Sequence, residues 1–130
     1  TAITNPDFII VIDPAVFMVI LKRGFMVDNG TILINTEKSP EEIKKDLNLG
    51  NTNPKIYTID ATGISIKYLG KNIPNIPILS AFSKSTHMVE INEIKKHIHD
   101  KLIVKYGEDI IKQNINALEK AYAEVKNERN

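Results

Sequence analysis

The sequence predicts an α/β fold with a mainly parallel sheet and a helical C-terminal region, on three observations. Short apolar, β-branched runs at residues 8–12, 31–35 and 56–59 alternate with segments of helical character. The third run, from Ile56 to Ile59, suits burial on both faces, as in a parallel strand covered by helices. The last third of the chain carries two apolar stripes at spacings of three and four, Ile91, Ile94, Ile98, Leu102 and then Ile111, Ile115, Leu118, Tyr122, Val125.

Taken in order, residues 8–12 form the first strand. Asp13 is a good N-cap, and Pro14 suits the first helical position, where its missing N–H costs nothing. A helix is predicted over 14–23, ended by Gly24. The second strand covers residues 31–35. Ser39-Pro40-Glu41-Glu42 then starts a helix over 40–47: Ser39 caps, Pro40 opens the first turn, and Glu42 takes the capping-box position. Lys44 and Lys45 lie toward its negative end. The third strand ends in the polar turn Asp60-Ala61-Thr62-Gly63 and feeds two short helices, the second beginning near Asn75.

Strands joined by helical crossovers are parallel, and right-handed crossovers put both intervening helices on one side unless the strand order reverses. The result is half of a doubly wound sheet within a Rossmann-like, three-layer arrangement. The two C-terminal stripes read as core rather than as a partner-binding groove, and residues 127–130 as a frayed tail. Without repeats, low-complexity segments or linkers, residues 1–130 read as a single domain.

The 130 residues, 42% of them apolar, suffice for one hydrophobic core. Seventeen basic residues against sixteen acidic ones leave no electrostatic footprint for nucleic acid or an anionic membrane. There is no cysteine, so the chain supplies no disulfide, thiolate zinc site or iron–sulfur ligand of its own, which suits a reducing compartment. The apolar run over 8–21 is broken by Asp13 and Pro14 and is shorter than the roughly 20 residues that span a bilayer. No positive side chain precedes it, as one would in a secretory signal, and a cytoplasmic protein is expected. The first residue is Thr1 rather than Met, and a missing natural beginning is expected.

Polar residues gather where the three strands end: Asp13, then Asn35 and Thr36, then Asp60 and Thr62. Parallel sheets build ligand sites there. Two readings stay open, helix caps and loop hydrogen bonds for Asp13, Asp60 and Asn35, or a ligand or partner edge formed by the group. Asn75 is a cap, or it starts a helix whose N–H groups face an anion. Ser80, Ala81 and Ser83 permit close approach to that helix, and Lys84 is a solvated lysine or a phosphate partner. His97 and His99, two apart on a helix, do not share a face, and His87 is remote, so no metal site is expected. The sequence has no G-x-S-x-G, Walker or G-x-G-x-x-G motif, and catalysis by this chain alone is not expected.

Four segments, FIIVIDPAV, ILINTEKSPEEIKKDLNL, KIYTIDATGISIKYLGKNIPNIPILSAFSK and NINALEKAYAEV, resemble in order and spacing the gamma subunit, or gamma domain, of 2-oxoacid:ferredoxin oxidoreductases. The pattern is more similar to pyruvate and branched-chain 2-oxoacid enzymes than to 2-oxoglutarate ones. The resemblance implies a subunit of an anaerobic-metabolism enzyme that oxidatively decarboxylates a 2-oxoacid, forms acyl-coenzyme A and reduces ferredoxin. It implies alpha, beta and delta partner subunits, with thiamine diphosphate, Mg and iron–sulfur clusters in the complex and none held by this chain. It also implies a role in assembly and on the coenzyme A side, with Asn35, Thr36, Lys38, Thr62 and Asn75 as contacts and no catalytic residue. Family members begin with a glycine-rich G-x-G-G-Q-G loop that this sequence lacks. The expectation is therefore the C-terminal portion of a larger gamma-subunit domain, with a sheet edge open to pairing. Two other readings are a stand-alone nucleotide or coenzyme A binding domain and a structural interaction module. The first predicts affinity without partners. The second predicts that changes at Thr36, Asp60 and Thr62 alter stability but not turnover.

Overall fold

The structure, a computed structural model, describes residues 8–22, 30–47 and 52–127. In chain order the elements are β1 (Phe8–Val11), α1 (Pro14–Lys22), β2 (Thr31–Asn35), α2 (Pro40–Leu47), β3 (Lys55–Ile59), α3 (Ala61–Leu69), α4 (Asn75–Thr86), α5 (Ile91–Tyr106), α6 (Glu108–Glu124) and β4 (Lys126–Asn127). This is the expected α/β fold, a four-stranded, mostly parallel sheet followed by a helical region. Its residues gather into two compact units, one drawn from Thr1–Thr58 and Lys126–Asn130, the other Ile59–Val125.

The first unit carries the sheet, in the order β1-β2-β3-β4. β1 and β2 are parallel, with Ile9 opposite Ile32 and Val11 opposite Ile34. Because strand side chains alternate, these four share one face. They join Ile56, Phe17 of α1 and Ile43 of α2 in one core, with Leu47 against it. Both helices thus cover the same face, as expected for strands added in one direction. β2 is buried throughout its apolar stretch, with Ile32, Leu33 and Ile34 at most 1% exposed. Burial on two faces is why that strand reads TILIN, without polar alternation.

Local signals set the helix starts. Asp13 Oδ1 accepts from the Ala15 N–H at 3.0 Å, as an N-cap should. The capping box forms in both directions: Ser39 Oγ accepts from Glu42 N–H and Glu42 Oε1 accepts from Ser39 N–H, each at 3.2 Å. The expected end of α1 at Gly24 lies outside the described residues. At the other terminus the structure corrects the sequence. Residues 126 and 127 pair antiparallel with β3, Tyr57 opposite Asn127 and Thr58 opposite Lys126, where a frayed tail was expected from 127. Backbone hydrogen bonding to a strand orders a segment that has no apolar pattern of its own.

In the second unit, both C-terminal stripes are core. Ile94, Ile98 and Leu118 are buried together, with Ile91, Leu102 and Ile115 against them. Ala117 and Ala121 are fully buried on α6, and Ser80 and Ala81 on α4. These small residues allow α4 and α6 to approach closely, and the Ser80 hydroxyl donates to the Leu118 carbonyl. Among the described residues, no helix is long and apolar enough to cross a membrane.

Candidate functional site

At the carboxyl end of β2, the first unit holds a cavity of about 310 Å³. Pro14, Ala15, Phe17 and Met18 of α1 line it on one side, Ile43, Asp46 and Leu47 of α2 on another, with Ile34, Thr36 and Lys38 completing it. Its walls are the start of α1 and the last turns of α2, the two helices that cover one face of the sheet.

Of the five predicted contacts, Thr36 and Lys38 line this cavity. Thr36 Oγ1 accepts from the Lys38 N–H at 3.2 Å, which folds the loop tightly after β2. Lys38 Nζ then reaches Asp46 Oδ2 at 2.6 Å. That hydrogen bond and the Asp46 charge hold the lysine pKa above its ordinary value, with a smaller push from Glu42. A raised lysine pKa means that the lysine keeps its charge through neutral pH and loses it, and the pair with it, as pH rises through the folded-state value, above 10.5. Both side chains are about half exposed, so the pair adds little to stability.

Asn35 does something different. It is 8% exposed, and its Nδ2 donates to the Ile12 carbonyl at 3.1 Å. That bond ties the ends of β1 and β2 together, and the cavity lining does not include Asn35. Thr62 and Asn75 belong to the second unit. Thr62 is half-buried in the first turn of α3, its carbonyl accepting from the Ser65 hydroxyl at 2.9 Å. Asn75 is exposed as the first residue of α4, whose N-cap is Pro74 with no side-chain cap bond. The capping reading of Asn75 is therefore corrected: Pro74 already supplies the fixed φ at that corner, and Asn75 sits inside the helix.

Asp60 is a cap, its Oδ1 accepting from the Gly63 N–H at 2.9 Å. A Cβ on residue 63 would stand 2.1 Å from Asp60 Oδ2, so glycine here leaves room for the capping carboxylate. Gly63→Ala should consequently lower stability by about 1 kcal/mol through loss of the cap. In an Asp60→Ala background the same change should raise it by about 0.5–1 kcal/mol through helix propensity. Urea denaturation of the four proteins checks this reversal of sign, and additive effects would refute the crowding.

Lys84 is exposed, and its ammonium lies over the Tyr122 ring, 4.7 Å from the centroid, an alternative to a phosphate partner. His97 and His99 are exposed on α5, with His99 Nδ1 3.4 Å from Asp100 and Nε2 3.8 Å from Glu108. Among the described residues, no three His, Cys, Asp or Glu side chains are grouped to hold a metal ion. Sequence reasoning missed Asp46 and the apolar lining. A signal existed, since Ile43, Asp46 and Leu47 are spaced three and four apart on α2 and share a face.

Comparison with known proteins decides the family. The family model described as pyruvate ferredoxin/flavodoxin oxidoreductase matches residues 1–124. The chain belongs to this family. It is 34% identical over 126 residues to pyruvate synthase subunit PorC of Thermotoga maritima, covering 97% of this chain and 64% of that protein. It is 34% identical over 122 residues to the common subunit gamma of pyruvate/ketoisovalerate oxidoreductases of Pyrococcus furiosus, covering 94% and 63%. It is 37% identical over 123 residues to PorC of Methanocaldococcus jannaschii, covering 95% and 62%. The chain thus spans just under two thirds of the length of these pyruvate oxidoreductase family relatives. The crystal structure of pyruvate oxidoreductase subunit PORC from Thermotoga maritima superimposes with a TM-score of 0.80 at 31% identity, over 98% of this chain and 67% of that one.

Proposed function

We propose that this chain is part of the gamma subunit of a pyruvate (2-oxoacid):ferredoxin oxidoreductase, which oxidatively decarboxylates a 2-oxoacid, forms acyl-coenzyme A and reduces ferredoxin. The observation that carries the reading is the family match along residues 1–124, with relatives named as PorC or subunit gamma. In this reading residues 1–130 are the C-terminal portion of one larger gamma-subunit domain. The complex is cytoplasmic and includes alpha, beta and delta subunits.

Iron–sulfur clusters are held by cysteine thiolates, and this chain has no cysteine, so its residues do not fit such a group. The clusters, with thiamine diphosphate and Mg, are assigned to the partner subunits. Coenzyme A supplies the thiol that accepts the acyl group. The gamma chain contributes to assembly and to the coenzyme A side, with Thr36 and Lys38 as the proposed contacts of the first unit and Thr62 and Asn75 as those of the second. What supports the contacts of the first unit is the place of Thr36 and Lys38 in the lining of the strand-end cavity, where the Lys38 ammonium must leave Asp46 to meet an anion. Asn35 acts by holding the loop that presents them.

The test is steady-state kinetics of the complete assembly carrying Thr36→Val and Asn75→Ala. The apparent KM for coenzyme A should rise by about tenfold while that for the 2-oxoacid stays within about twofold. Equal effects on both would remove the contact assignment and leave the subunit assignment standing. Failure of the chain to assemble with cluster-bearing partners, read by native mass spectrometry, would remove the subunit assignment itself.

A further inference from the structure

The mouth of the strand-end cavity carries one cation and one anion side by side, and the floor is apolar. Lys38 Nζ and Asp46 Oδ2 are 2.6 Å apart, at 55% and 46% exposure. Behind them lie Phe17, Met18, Ile34, Ile43 and Leu47. A volume of about 310 Å³ is of the size that takes a small ligand rather than a single water. A simple apolar anion would find Lys38 but meet the Asp46 carboxylate. An apolar amine would find Asp46 but meet the Lys38 ammonium. A zwitterion satisfies both at once.

We infer that the cavity binds a free α-amino acid with an apolar side chain of valine to leucine size. Its carboxylate takes the Lys38 ammonium and its ammonium takes the Asp46 carboxylate, while the aliphatic side chain fills the floor. Exposed ion pairs contribute little, so the Lys38–Asp46 contact parts at small cost and each charge regains a partner in the ligand. The Thr36 hydroxyl, whose oxygen already accepts from Lys38 N–H, keeps its proton available to donate to the ligand carboxylate. Glu42 adds negative charge near Lys38, which strengthens the preference for a zwitterion over an anion. The aliphatic contact is small and the charges remain near water, so binding is weak, of order millimolar. An amino acid site at the β2 end would make this chain sensitive to the α-amino acids that correspond chemically to branched 2-oxoacids. The inference does not depend on the coenzyme A reading, because it is read by binding to this chain and not by turnover.

The experiment is titration of the isotope-labelled full chain with L-leucine, followed in amide NMR spectra, with three truncated probes alongside. 4-Methylpentanoate lacks the ammonium, 3-methylbutylamine lacks the carboxylate, and glycine lacks the side chain. L-leucine should give saturable shifts at Thr36, Lys38 and Asp46 with a Kd of order millimolar, and each truncated probe should bind about tenfold more weakly or not at all. Lys38→Met and Asp46→Asn, both at exposed positions, should each weaken leucine binding by about tenfold. Ala15→Leu, which projects into the cavity, should abolish it while thermal melting stays cooperative. Absence of saturable shifts up to about 20 mM leucine overturns the inference, as does any of the three truncated probes binding as tightly as leucine. Leucine binding unchanged by both charge variants overturns it equally.

Discussion

Leu118→Ala should lower the unfolding free energy by roughly 3–5 kcal/mol, the largest loss expected from a single truncation in the second unit. Leu118 is fully buried on α6 and belongs to one core with Ile94 and Ile98 of α5. Its neighbours on α6, Ala117 and Ala121, are also fully buried, so the helix cannot slide to fill a void without driving backbone into α4. The Leu118 carbonyl is tied to the Ser80 hydroxyl, which fixes the height of α6 against α4. Little relaxation is therefore available, and the cost falls in the upper part of the range for leucine truncation. Against a total of about 5–15 kcal/mol for a typical domain, this is a large fraction. Urea denaturation checks it, with Leu79→Ala as control because Leu79 is 40% exposed on α4. The control should cost under about 1 kcal/mol. Equal losses at the two positions would contradict the packing of α6.

The elements legible in the sequence are those whose signals are local. β2 and α2 have the bounds that the sequence predicts, Thr31–Asn35 and Pro40–Leu47, because TILIN and the Ser39 capping box are self-contained patterns. The core stripes of α5 and α6 were equally readable, since a period of 3.6 survives whatever the helices pack against. β4 was not readable. Lys126 and Asn127 have no strand pattern, and their order comes from partners at Tyr57 and Thr58, far away in sequence. The Lys38–Asp46 pair was missed for a related reason. Its members are separated by the capping box and meet only because α2 folds back along the loop after β2. Strand-end position picked out Asn35 and Thr36, and the family resemblance added Lys38, but position cannot separate a side chain that lines the cavity from one, such as Asn35, that turns inward to a backbone carbonyl. Periodicity says which residues are near a strand end and not which way the last one points.

Asn35→Asp isolates that inward bond, because it conserves shape and replaces only the donor. At neutral pH a carboxylate oxygen would face the Ile12 carbonyl where Nδ2 now donates at 3.1 Å, at a position only 8% exposed. The lost hydrogen bond and the burial of a charge beside a carbonyl should together cost roughly 2–4 kcal/mol. The sign of the pH dependence follows from the protonated acid, which regains an O–H donor for the Ile12 carbonyl. Burial and the carbonyl both favour that neutral form, so the folded-state pKa of residue 35 in the variant is raised above the unfolded value of about 3.9. The stability difference from the parent protein should thus be smallest below pH of about 4 and grow as pH rises through the folded-state value, reaching its full size at neutrality. Denaturation of both proteins side by side from pH 4 to 7 removes the acid sensitivity that they share. A difference that is flat across this range would mean that residue 35 reaches water and does not hold β1 to β2. If the difference does shrink in acid, the Asn35 donor helps to position the loop bearing Thr36 and Lys38. Loss of that donor should then disturb ligand binding at the cavity without any contact between residue 35 and the ligand.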